Sequence, residues 1–188
     1  MKTPNVQLMI KAKEALRGMW GTAAIATLIY SLLAGATCWA APIFAGPLTL
    51  GYIIFIRTIY VSRENAQIER IFDGFKDFVR SLVAYLLMSI YICLWMLLFI
   101  IPGIIMSFAY SMTFFILADD KTLTASQALK RSKEMMVGYK FKLFCLYLRF
   151  FGWILLGILS FGIGFFWIEP YMRMATYQFY LDIKNQEA

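Results

Sequence analysis

Apolar residues fall in three blocks of about forty positions, separated by shorter stretches where apolar and charged residues alternate at helical spacing. A helix crossing the ~30 Å hydrocarbon layer needs about 20 apolar residues, so each block holds two crossings. The pattern predicts an all-α polytopic membrane protein in one domain, 1–188. Its six helices fall over 19–38, 46–62, 82–101, 103–118, 141–158 and 164–182 and pair as three hairpins. The expected reversals are Gly46-Pro47, Pro102-Gly103 and Gly162-Ile163-Gly164. Pro102 lacks an N–H and restricts Ile101, and Gly103 permits the turn. One kinked helix over 82–118 would exceed ~50 Å at ~1.5 Å per residue, too long for the layer.

A short amphipathic helix is expected before each hairpin. The first starts at Thr3-Pro4, with Thr3 as N-cap and Pro4 at the first helical position. In the second, Ile68, Ile71, Phe72, Phe75, Phe78 and Val79 form the apolar stripe, opposite Glu69, Arg70, Asp73, Lys76, Asp77 and Arg80. In the third, Thr124 and Gln127 form a capping box. Its stripe is Ala125, Ala128, Leu129, Ser132, Met135 and Met136, with Ser132 the weak member, and Gly138 is the C′ residue. Gly18-Met19-Trp20, Gly74-Phe75-Lys76 and Gly138-Tyr139-Lys140 mark a threefold internal repeat of about sixty residues. Such parallel repeats occur in transporters.

Composition supports a lipid environment. The chain is 61% hydrophobic with mean hydropathy +0.68, above the roughly 45–50% apolar content of soluble domains. Net charge is +7, but the basic residues punctuate the apolar blocks and cover no single face, which argues against nucleic acid. Of 18 Lys and Arg, all but Arg57, Arg149 and Arg173 fall in 1–18, 62–81, 119–142 and 182–188. The expected outer turns, 38–48, 100–105 and 157–168, have none. The positive-inside rule then places both termini in the cytoplasm of a bacterial inner membrane. The first apolar block is too long and starts too late for a cleaved signal. Trp20 and Trp39 are expected in the inner and outer interfacial belts, Trp167 in the outer belt, and Trp95 and Trp153 as packing residues. Cys38, Cys93 and Cys145 are far apart and read as buried thiols, not a disulfide framework.

Four ionisable residues stand inside the expected spans: Arg57, Arg149, Glu169 and Arg173. A charge at that depth costs several kcal/mol unless it snorkels or is paired. Arg57 is six residues from Arg63 and can snorkel, whereas Arg149 lies about 10 Å past Lys142 by helical rise. Glu169 and Arg173 have the i,i+4 spacing of an ion pair. If the three arginines face one another, they form a cytoplasm-facing cationic recess suited to an anionic lipid headgroup or small anion. Arg57 and Arg173 occupy matching places in two repeats, and Tyr110-Ser111 holds that place in the other. Histidine is absent, as are P-loop, HExxH and GxSxG motifs, so no catalytic residue, metal or cofactor is implied. Asp119-Asp120 reads as a solvated pair opening a loop.

The run Leu98-Phe99-Ile100-Ile101-Pro102-Gly103-Ile104-Ile105, then Tyr110-Ser111-Met112 and Ile116-Leu117-Ala118-Asp119-Asp120, resembles a bacterial integral-membrane family, domain of unknown function nine-seven-five. Ala128-Leu129-Lys130-Arg131-Ser132-Lys133, Met136-Val137-Gly138-Tyr139-Lys140, Gly152-Trp153-Ile154-Leu155, Gly162-Ile163-Gly164 and Glu169-Pro170-Tyr171 extend the resemblance. That family is distantly similar to the membrane region of some glycerophosphodiester phosphodiesterases. The resemblance implies a cytoplasmic-membrane protein and assigns no activity. Arg149 departs from the small polar residue usual there.

The expected function is non-enzymatic: a binding or transport-like membrane protein with Arg57, Arg149, Glu169 and Arg173 at an anion-binding recess. Anionic membrane lipids are its expected partners. The alternative is a structural or regulatory membrane subunit that docks a protein through its amphipathic cytoplasmic helices.

Overall fold

The computed structural model describes residues 3–36, 41–62 and 67–187, and every regular element among them is helical. The order is α1 (Asn5–Ala15), α2 (Trp20–Ala36), α3 (Ala41–Val61), a 3-10 helix (Ile68–Phe75), α4 (Phe78–Leu98), α5 (Ile100–Tyr110), α6 (Thr113–Asp119), α7 (Ala125–Met135), α8 (Lys140–Leu159) and α9 (Phe165–Glu187). Each expected span has a helical counterpart, the fourth as α5 plus α6. Four segments are long and apolar enough to cross a membrane: Ile43–Val61, Phe78–Leu98, Ile100–Asp119 and Lys140–Leu159. A fifth arises if α1 and α2, bent by 96°, are taken together. The six-span count therefore reduces to four or five on length and composition. α2 has 17 residues, and α9 carries Glu169, Arg173, Asp182 and Lys184.

The outer surface suits lipid. Just 11% of the Phe78–Leu98 window is buried in the protein. Leu97, Ile100 and Ile101 at the α4–α5 reversal are 85%, 72% and 73% exposed, and Phe161 at the α8–α9 turn is 99% exposed. Soluble monomers seldom show such continuous apolar surface. Several apolar helices with lipid-compatible faces agree with a multi-pass membrane protein. Cys93 also lies on the exposed side of α4 and Cys145 is half-buried, so neither is the fully buried thiol expected. Cys38 and Trp39 lie outside the described residues.

The reversals fall partly elsewhere than expected. Gly46 and Pro47 lie inside α3, and residues 37–40 before it lie outside the described residues. The second reversal is at Phe99, whose extended backbone (φ −155°, ψ 137°) separates α4 from α5. Pro102 sits in the first turn of α5, where its missing N–H costs nothing. Gly103 serves close packing: a Cβ there would stand 2.9 Å from Met96 Cα. The third turn is as expected, with Gly162 at φ +88°.

Each amphipathic segment packs on a returning helix. α7 has its capping box, with the Thr124 N–H donating to Gln127 Oε1 at 2.8 Å. Its stripe is buried against α4, α5 and α6. Ser132, the weak member, has a structural use: its hydroxyl donates to the Ala109 carbonyl (2.8 Å) and accepts from the Met112 N–H (3.2 Å). These groups flank the break at Ser111–Met112, where the helix ladder leaves backbone groups without partners. α1 lies on α9, with Tyr171 donating to the Met9 carbonyl at 3.3 Å. Thr3 does not cap α1; Pro4 is the N-cap, and the Thr3 hydroxyl donates to Asp182.

The second segment is a 3-10 helix, and its period explains why the expected stripe fails. With three residues per turn, Ile68, Ile71 and Gly74 line up. Ile71 and Gly74 are buried, whereas Phe72 is 50% exposed; Val79, 70% exposed, lies beyond this helix in α4. This line meets α3 backbone to backbone: a Cβ on Gly51 would fall 1.7 Å from the Ile71 carbonyl oxygen.

The corners after α1 and α7 match closely. Gly18 and Gly138 have φ +87° and +77°, and the C-caps Leu16 and Met136 share φ −83°. Leu8, Ala12 and Ala15 are buried at the positions of Ala128, Ser132 and Met135. The corner before α4 differs, since Gly74 has no positive φ.

Candidate functional site

Arg57, Asp119, Glu169 and Arg173 gather where α9 meets α3 and α6; Arg149 does not. Arg173 donates through Nε to Glu169 Oε1 at 2.8 Å, one turn earlier on α9. Its guanidinium also stands over the Tyr52 ring at 6.0 Å. Tyr52 is 1% exposed, stacks on Tyr30 at 4.9 Å and lies 2.8 Å from the Thr27 hydroxyl. Thr27 gives its proton to the Ala23 carbonyl at 2.8 Å, so Tyr52 donates to Thr27. The i,i+4 spacing thus yields the expected pair, set against a satisfied buried tyrosine.

Arg57 reaches a partner its own neighbours in sequence do not reveal. Its Nε is 2.9 Å from Asp119 Oδ1, an ion-pair distance without hydrogen-bond alignment. Asp119 also accepts from the Tyr180 hydroxyl at 3.0 Å and from the Lys184 ammonium. The Asp119 side chain is 10% exposed, against 42% for Arg57 and 43% for Lys184. Phe115, Tyr177 and Tyr180 stack beside it at 5.8–6.2 Å. The solvated-pair reading of Asp119-Asp120 is therefore corrected for Asp119, which joins α3, α6 and α9. Asp120 fits it: the Thr122 hydroxyl (2.6 Å) and N–H (2.9 Å) donate to it and hold its carboxyl below the usual range.

Arg149 is exposed on α8 between Leu148 and Phe151, 58% and 56% exposed. It has no ion-pair or hydrogen-bond partner among the described residues. Of the four expected site residues, the structure joins Glu169 with Arg173. It gives Arg57 to Asp119 and turns Arg149 outward. The three arginines do not share one recess. Tyr110, at the matching place in the middle hairpin, stacks on Tyr91 at 6.0 Å, and Ser111 returns its proton to the Phe108 carbonyl.

Two clasps were not legible in the sequence. Lys142 at the start of α8 donates to Asp182 near the end of α9 at 2.8 Å, and Asn5 donates to the Lys142 carbonyl at 3.0 Å. Arg80, in the first turn of α4, donates to the carbonyls of Leu117 (2.7 Å), Asp120 (3.2 Å) and Leu123 (3.4 Å). These are carbonyls at and beyond the C-terminus of α6, which a cation suits. A hint was present: a cation in a helix's own first turn opposes the dipole, so Arg80 needed a partner elsewhere.

Comparison with known proteins places part of the chain. No curated protein and no solved structure matches it, so no link to the membrane region of glycerophosphodiester phosphodiesterases is found. Over residues 96–187, from the end of α4 to α9, the chain matches the model of the family described as Protein of unknown function (DUF975).

Proposed function

We propose that this is a non-enzymatic, six-span protein of a bacterial cytoplasmic membrane with both termini inside, acting as a structural or regulatory subunit that docks a partner protein. The reading includes a threefold repeat, which the matching corners after α1 and α7 favour. α1 packs on α9 of the last hairpin, the 3-10 helix on α3, and α7 on α6, α4 and α5, so each amphipathic segment meets a returning helix. Counting α9 as a span requires its charges to be satisfied inside, as the Glu169–Arg173 and Lys142–Asp182 pairs do.

The carrying observation is the outward charged face of α7. Its apolar stripe is buried against α4, α5 and α6, so the helix cannot lay that stripe in lipid. Gln127, Lys130, Arg131 and Glu134 instead border an open depression of about 320 Å³. A basic rim of this kind suits an acidic protein surface. The rival reading, a recess for a small anion or anionic lipid, loses support because Arg57 and Arg173 already hold carboxylates.

The test places a photo-crosslinking amino acid at Gln127 in native membranes. One discrete protein adduct is expected, lost on Arg131→Glu and kept on Lys121→Glu. The proposal fails if no adduct forms while Arg57→Gln and Arg173→Gln abolish anion uptake by folded protein in proteoliposomes.

A further inference from the structure

We propose that the protein carries two equivalent sites for the phosphate of an anionic phospholipid, one at Lys13 and one at Lys133, each where an amphipathic helix crosses the aromatic pair of a helical hairpin. This rests on the protein lying in a membrane, but not on the six-span count or the docking role.

Lys13 and Lys133 are the last-turn cations of α1 and α7, each five residues before the positive-φ glycine of its corner. Both are exposed and neither has an ion-pair partner among the described residues. Lys13 borders a cavity of about 130 Å³ with Trp20, Trp153, Trp167, Ile168 and Tyr171. Lys133, with Lys130, borders one of about 370 Å³ whose other walls include Tyr91, Trp95, Met106 and Tyr110. Tyr171 lies edge-on to Trp153 at 6.4 Å, and Tyr110 stacks on Tyr91 at 6.0 Å. In both places the aromatic pair joins the rising and returning helices of one hairpin, and the lysine arrives from an amphipathic helix. The arrangement corrects the belt assignment: Trp20 and Trp167, expected at opposite interfaces, line one cavity. Trp95 and Trp153, expected as packing residues, are 41% and 49% exposed.

The chemistry selects an acceptor with an apolar tail. The indole N–H groups of Trp20, Trp153 and Trp167 have no acceptor among the described residues. The Tyr171 proton is already given to Met9. The free polar groups of the Lys13 cavity are thus mainly donors, matching a phosphate diester. Leu155, Leu156, Ile158 and Leu159 nearby on α8 are 52–78% exposed and offer an acyl chain its surface. Lysine stems lying along apolar wall with aromatic neighbours are the usual interfacial device. At the third crossing, α3 and the 3-10 helix touch through Gly51 and Gly74, with no room for a headgroup.

The test reconstitutes the full chain in vesicles and measures quenching of its tryptophans by brominated-acyl phosphatidylglycerol against brominated-acyl phosphatidylcholine. Phosphatidylglycerol is expected to be preferred about fivefold per site, the factor one lysine near a membrane surface supplies. Lys13→Gln and Lys133→Gln should each remove one site's share and together bring the two lipids level, with Lys121→Gln unchanged. A preference that survives in the double variant overturns the proposal. Displacement of the lipid by excess inorganic phosphate would overturn the lipid assignment in favour of a free anion. If neither brominated lipid quenches, the membrane reading itself fails; equal quenching by both in the unaltered chain sinks the two sites alone.

Discussion

Substituting alanine for Gly74 or Gly51 should be the most damaging small change in the chain. A Cβ on Gly74 would lie 2.0 Å from the Pro47 carbonyl oxygen and 2.5 Å from the Gly51 nitrogen. On Gly51 it would lie 1.7 Å from the Ile71 carbonyl oxygen. The obstacles are backbone atoms of two helices, so no rotamer change relieves them. Overpacking typically costs about 1–3 kcal/mol, and a backbone-on-backbone clash belongs at the top of that range. For a chain of 188 residues, a loss of about 3 kcal/mol lowers Tm by roughly 6–12 °C. Gly21→Ala is the control. Nothing lies within 4 Å of its added Cβ, and alanine in a helix gains about 0.5–1 kcal/mol over glycine. Thermal unfolding in detergent should show opposite shifts; equal shifts would mean that α3 and the 3-10 helix do not touch as described.

Asp119→Asn should be the most damaging removal of a charge. It leaves the Arg57 guanidinium and Lys184 ammonium facing each other without an anion and weakens the bond from Tyr180. Breaking a buried pair costs about 3–5 kcal/mol. Arg57 and Lys184 are 42% and 43% exposed, so water screens part of this and about 2 kcal/mol is expected. Asp120→Asn should leave stability nearly unchanged, because that side chain bonds within its own loop. Denaturant unfolding of both variants checks the contrast, and equal losses would remove Asp119 from the centre of the site.

The sequence was most informative where the physical cause is local. Apolar runs located the long helices, because a helix needs no partner in sequence to announce its length. The Thr124–Gln127 box and the two corner glycines were readable because caps act within one turn. Glu169 and Arg173 were readable because four residues is one helical turn. Arg57 with Asp119, Lys142 with Asp182, and Arg80 with the Leu117 carbonyl were not. Each joins residues tens of positions apart, and their meeting depends on how hairpins cross. The arginine recess shows the consequence: matching places in a repeat suggested a shared cavity, but Arg57 and Arg173 each hold a carboxylate and Arg149 faces outward. The second amphipathic segment misled differently. Its stripe was read at a period of 3.6 residues, while the close approach of Gly51 and Gly74 imposes the tighter period of a 3-10 helix.

The central claim is that the charges among the apolar helices, the outward Arg149 apart, are held by partners inside the protein. A double-mutant cycle on Arg57→Gln and Asp119→Asn, read by unfolding free energy in one detergent, tests it most directly. A coupling of about 1 kcal/mol or more is predicted, because the pair is in contact. Additive losses, within about 0.3 kcal/mol, would contradict it and return Arg57 to an open surface.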